Sequence, residues 1–245
     1  MQKIVKNKQY KVNIMPITEQ LILMVDAETD LQETPEFTDK KNNAIIGALL
    51  ADLFLQKKAG LVNNKVVVTT TEGSRVKYID DFITKLRSLD RKDLMENIIH
   101  EVKPLASYFE DEILKKLLAE QWLVEKKGLL PVISQKKLQV ENSDYLKAFQ
   151  ATITNILANE EEPKKEVIYL MAILYSLNML QKFTKKGKLG REEKIRMNEL
   201  LEKEYLAKLI YRAIKNQPDP KSIKLIDMRQ RGYIAGMRGL MGVNR

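Results

Sequence analysis

From Val167 to Leu180 the chain reads VIYLMAILYSLNML, an apolar run interrupted by little more than Ser176 and Asn178. A helix of this composition has no face to give to water, so other helices must wrap it or a bilayer must hold it. It is too short for the bilayer, which needs about 20 apolar residues in a row. The expected fold is therefore mainly α, a single helical-bundle domain with this segment at its centre. No stretch of the 245 residues is long and apolar enough to span a membrane, and the opening MQKIVKNKQYKV lacks the apolar run of a secretory signal. A cytoplasmic location is the expectation.

Composition closes several chemistries. With no Cys there is no disulfide framework, thiol nucleophile or Cys-ligated metal, and with His100 as the single His there is no multi-His zinc site within one chain. The formal charge of +9 points to a polyanionic partner, nucleic acid or an anionic membrane surface. Lys outnumbers Arg, which weakens the nucleic-acid reading, because Arg is the better reader of bases and phosphates.

Along the chain, residues 1–15 read as a tail or edge strand. Thr18 is the expected N-cap of a short helix carrying Leu21, Ile22 and Val25. An acidic loop from Asp26 to Asp39 follows, without the turn glycine and closing Glu of a calcium loop. Asn42 or Asn43 is then expected to cap a core helix ending at Gly60. The β-branched Lys65–Thr71 reads as a strand. Further helices are expected around Ile79–Leu86, from Asp90 to Pro104, from Leu105 to Gln121, and from Ser143 to the Glu160–Pro163 loop. A long helix should run from about Glu192 to Asn216. Residues 217–245 read as a basic C-terminal arm, leaving 16–216 as the folded domain.

The segment Trp122–Val140 reads as a β-hairpin, with a strand at Trp122–Val124 and a returning strand at Lys137–Val140. Its tip region, GLLPVIS, is apolar and is bracketed by Lys126, Lys127, Lys136 and Lys137. That pattern suits an interfacial anchor, in which Leu129, Leu130 and Val132 enter the acyl boundary while the lysines meet anionic headgroups. A competing reading makes Leu129–Ile133 a core strand with solvated ends. A third takes helix 105–121 plus the hairpin as a winged-helix-like nucleic-acid binder, against which the helix opens with Glu110, Asp111 and Glu112. His100 reads as structural and Trp122 as core. The basic loop Lys182–Arg191 lacks the residue order of a phosphate-cradling loop. No general acid–base pair, cofactor motif or metal set stands out, so a non-enzymatic protein is expected.

The ordered segments PITEQLILMVDAETD, NNAIIGALLADLFLQKKAGL, KVVVTTT, EILKKLLAEQWLVEKKGLLPVIS and EVIYLMAILYSLNML resemble the Golgi phosphoprotein 3 family over roughly Pro16–Leu201. The resemblance implies a mostly helical peripheral membrane protein that binds phosphatidylinositol 4-phosphate on a basic face, inserts an apolar hairpin tip, and serves as an adaptor for protein clients. A divergent bacterial member is the expectation. By the same resemblance the family's headgroup-contacting tryptophan falls on Phe37 and its apolar tip on Leu129–Val132. Its second-helix arginine falls on Ile46, and its paired arginines fall near Ser107 and Glu110. A phosphomonoester site needs several charge-assisted donors, so altered phosphoinositide recognition is expected. General attraction to anionic lipid would then run through Lys40, Lys41 and the hairpin lysines.

Overall fold

The computed structural model describes residues 15–26, 34–63, 65–74, 76–89, 95–126, 137–141 and 143–215. In chain order they form α1 (Ile17–Asp26), α2 (Pro35–Leu55), β1 (Ala59–Val62), β2 (Lys65–Val68), α3 (Lys77–Ser88), α4 (Met95–Val102) and α5 (Ala106–Ala119). There follow β3 (Leu123–Lys126), β4 (Lys137–Val140), α6 (Ser143–Leu157), α7 (Lys165–Ser176), α8 (Arg191–Lys203) and α9 (Tyr205–Ile214). Short 3₁₀ turns cover Lys103–Leu105 and Leu180–Phe183. The described strands make two antiparallel hairpins, β1–β2 and β3–β4. The fold is mainly α with small hairpins, as the sequence predicts. The expected tail before Met15 and the C-terminal arm lie outside the described residues.

Two helices share the centre. In α7 the run Ile168–Leu174 is buried on every side, as its composition requires, and in α2 every residue from Asn43 to Phe54 is buried. α9 packs against both, and α1 lies on α2. The approach of α9 depends on Gly47, where an added Cβ would sit 3.0 Å from both Ile210 Cγ2 and Ile214 Cδ1.

Four expectations need correction. α2 begins at Pro35 and not at Asn42 or Asn43, because Thr34 caps it, its side chain accepting from the Phe37 N–H (3.2 Å), with Pro35 in the first turn. The stretch from Pro35 to Asp39 is therefore helix and not loop. α2 also stops before Gly60. Lys57 takes a left-handed conformation (φ 55) and the Lys58 N–H reaches back to the Leu53 carbonyl (2.8 Å), a Schellman closure, while Gly60 lies in β1. Thr18 is not the cap of α1. Asp52, from the far end of α2, accepts from the Ile17 N–H (2.7 Å), the Thr18 N–H (3.0 Å) and the Thr18 hydroxyl (2.5 Å). Finally, the single long C-terminal helix is two helices. The chain bends at Glu204 (φ −112, ψ 90), whose carboxylate meets Lys165 (3.1 Å), and the bend lets α9 turn its Ala207, Ile210 and Ala213 inward.

α2 and α5 lie side by side and run in the same direction. At their beginnings Asp39 pairs with Lys103 and Lys41 with Glu110. At their far ends Asp52 holds the start of α1, whose next residue, Glu19, accepts from Lys116 of α5 (2.7 Å). The hairpins β1–β2 and β3–β4 follow the ends of these two helices within a few residues, so both leave the same end of the bundle.

Candidate functional site

The start of α2 presents Phe37, Asp39, Lys40 and Lys41 on one helical turn. Phe37 is half-buried against the core. Lys40 pairs with Glu36 (2.5 Å) one turn earlier, and its hydrogen bond holds the Glu36 carboxyl below the usual carboxylate range. Lys41 is buried, not a surface cation. Its ammonium sits 2.6 Å from Glu110, and both side chains are largely out of water. Lys103 meets Asp39. Each described lysine of this corner thus has a carboxylate of the same chain within contact distance. Ile46 is fully buried, with no room to reach the surface, and Ser107 is exposed. A phosphomonoester placed here would have to compete with Glu36, Asp39 and Glu110 for the lysines that should hold it.

The second predicted element, β3–β4, is present with the expected returning strand. Leu123 pairs with Val140, and the register ends with Lys126 opposite Lys137. Lys127, Leu129, Leu130, Val132 and Lys136 lie outside the described residues. The base of the hairpin is fixed by contacts that spacing alone did not reveal. The Trp122 ring meets Tyr145 edge-on at 5.8 Å, and the Tyr145 hydroxyl donates to Gln20 (3.0 Å). Gln20 in turn donates to the Met15 carbonyl (2.8 Å). The hairpin is therefore tied to α1 as well as to α5. Phe37 and Lys40 stand at the opposite end of α2 from the point where the hairpins leave.

Two buried carboxylates lie near those hairpins. Asp52 is wholly buried, and desolvation pushes its carboxyl up to about 6 against the pull of its three donors. Glu19 accepts from Tyr78 (2.6 Å) and Lys116 (2.7 Å), and burial together with Glu19 raises the Tyr78 phenol far above its ordinary value. A cavity of about 240 Å³ reaches Asp52 between the starts of α1 and α7, lined also by Gln20, Gln56, Lys164 and Glu166. Both Asp52 oxygens are engaged by α1, so this carboxylate closes the start of that helix. Among the described residues no cluster of three or more His, Asp or Glu side chains could hold a metal, and His100 is exposed.

α5, the recognition helix of the winged-helix reading, packs against three helices of the bundle. α5 turns Phe109, Ile113 and Leu117 into the core and touches α1, α2 and α3, while Glu112 on its outer side is held by Lys115 and Lys77 (2.7 and 2.9 Å). The basic loop after α7 is anchored by Phe183, whose ring meets Phe149 at 5.5 Å. The helix it introduces, α8, already carries its own anion, since the Gly190 N–H donates to the Glu193 carboxylate (2.5 Å).

The chain matches the family model described as Golgi phosphoprotein 3 (GPP34) over residues 17–217, and it belongs to that family. No curated protein matches it.

Proposed function

We propose that this member of the Golgi phosphoprotein 3 family is a non-enzymatic, peripheral adaptor on the cytoplasmic face of a membrane. It would dock on anionic phospholipid through the β3–β4 hairpin and recruit protein clients there. The observation that carries the reading is the last rung of the hairpin. The register sets Lys126 opposite Lys137 at the mouth of the apolar segment GLLPVIS. Two basic residues thus bracket the apolar segment, a pattern that suits an anionic surface meeting the lysines while the segment between them enters the acyl boundary. No described helix is long and apolar enough to cross a membrane.

Charge density, and not a phosphate pocket, is the proposed basis of recognition. Among the described residues the corner bearing Phe37, Lys40 and Lys41 supplies no lysine without a carboxylate partner, so phosphatidylinositol 4-phosphate would be bound as one anionic lipid among others. Each hairpin lysine near the surface is worth about 1 kcal/mol on an anionic leaflet, and the contribution falls with salt. Co-sedimentation with vesicles containing phosphatidylserine tests the reading. Binding should weaken when Leu129→Asp is combined with Leu130→Asp. Undiminished binding by that double variant would overturn the hairpin anchor.

A further inference from the structure

The chain builds the same device twice. α2 ends at Lys57 (φ 55) with the Lys57 N–H on the Phe54 carbonyl (3.1 Å) and the Lys58 N–H on the Leu53 carbonyl (2.8 Å). α5 ends at Gln121 (φ 60) with the Gln121 N–H on the Leu118 carbonyl (3.1 Å) and the Trp122 N–H on the Leu117 carbonyl (2.9 Å). Two residues beyond each left-handed position a hairpin begins, at Ala59 and at Leu123, both buried. Each hairpin is closed at its base in the same way, by Thr69 N–H on the Lys58 carbonyl and by Glu141 N–H on the Trp122 carbonyl (2.9 and 3.1 Å). Because α2 and α5 run in the same direction, the two hairpins leave the bundle at one end.

The shorter hairpin has an inner and an outer face set by its register. Ala59, Leu61, Val66 and Val68 share the inner face, and Gly60, Val62, Lys65 and Val67 share the outer one. On that outer face Val62 is 54% exposed and Val67 39%, and a Cβ added at Gly60 would meet nothing within 4 Å. Among the described residues Lys57, Lys58 and Lys65 have no ion-pair partner, in contrast to the lysines at the start of α2. Lysine on an exposed edge guards against strand pairing, but edge protection does not account for two valines turned to solvent on the face.

We infer that the outer face of β1–β2 is a second bilayer-contact surface, with Val62 and Val67 at the acyl boundary and Lys57, Lys58 and Lys65 on anionic headgroups. The inference rests on the membrane reading above and adds a second arm to it. The occupant is a lipid surface because the apolar face carries Lys65 and is preceded by Lys57 and Lys58, cations without an ion-pair partner, a complementarity that a neutral partner would leave unused.

The chain has no cysteine, so Val67→Cys and, separately, Val62→Cys each give one site for an environment-sensitive fluorophore. On phosphatidylcholine vesicles containing phosphatidylserine, both labels should shift to the blue, and on phosphatidylcholine alone they should not. In the unlabelled chain, Lys65→Glu should weaken binding to the anionic vesicles by about five-fold or more. Labels that stay in water while the wild type co-sediments would overturn the second arm and leave the β3–β4 reading standing. A blue shift that depends on protein concentration without vesicles would assign the face to a second copy of the chain and overturn the inference. No co-sedimentation of the wild type would overturn both readings.

Discussion

Replacing Asp52 by Asn separates two properties of one buried group, its hydrogen bonds and its charge. The carboxylate closes the first turn of α1 from a position 35 residues away in the chain, accepting from Ile17 N–H, Thr18 N–H and the Thr18 hydroxyl. Asn keeps one acceptor and turns an N–H₂ toward the donors, so a loss of about 2–4 kcal/mol at any pH follows from the unsatisfied groups. Charge adds a pH dependence on top of that loss. Burial raises the Asp52 carboxyl from 3.8 to about 6 in the folded chain. The native state then holds the proton more tightly than the unfolded chain. The contribution of Asp52 is full below about pH 4 and is lost as pH rises through about 6. Roughly two pH units of difference amount to about 3 kcal/mol. Urea unfolding of wild type and Asp52→Asn between pH 4 and 8 should therefore show the stability advantage of the wild type shrinking by about that amount as pH rises. An advantage that is constant with pH, or one that grows, would refute the claim that desolvation outweighs the three donors and the positive end of α1.

Lys41→Ala should destabilise by about 3–5 kcal/mol by leaving Glu110 without its buried partner, while Lys41→Met with Glu110→Leu should recover most of the loss in a denaturant midpoint. Gly47→Ala should cost about 1–3 kcal/mol through the clash with Ile210 and Ile214, even though alanine is the better helix former, and thermal unfolding would show it. Glu19→Gln should lower the melting temperature more than Tyr78→Phe does. The first takes a buried charged acceptor from both Tyr78 and Lys116, leaving Lys116 with Glu120 alone, and the second removes one hydrogen bond.

What the sequence revealed depended on how local the cause was. α7, α6 and the β3–β4 hairpin follow from neighbouring residues: an unbroken apolar run, a helical stripe from Tyr145 to Ile156, and a turn with a returning strand. The misplaced boundaries all depended on partners distant in sequence or on unusual backbone. Thr18 has the chemistry of a cap, but Asp52 reaches the same N–H groups from another helix. Lys57 ends α2 in a conformation usually left to glycine, so the nearby Gly60 drew the boundary instead. The split at Glu204 carries no glycine or proline and answers to the packing of α9 on α2 and α7. At the candidate site, Lys40 and Lys41 are adjacent and look equivalent, yet one lies on the surface beside Glu36 and the other is buried against Glu110, sixty-nine positions on. Glu36 is one helical turn from Lys40, but only the fold brings Glu110 to Lys41. The duplicated helix–hairpin junction is equally hidden, because the two copies share backbone geometry and burial far more than residue identity.

The central claim, a hairpin end that binds anionic bilayers by charge and apolar contact, is tested most directly by wild-type binding to three kinds of vesicle across a salt titration. These would be phosphatidylcholine alone and phosphatidylcholine carrying either phosphatidylserine or phosphatidylinositol 4-phosphate, the latter two matched in surface charge. The wild type should not bind the first, should bind the other two equally, and should lose both steeply with salt. Binding indifferent to surface charge, or a strong salt-resistant preference for phosphatidylinositol 4-phosphate, would contradict that claim.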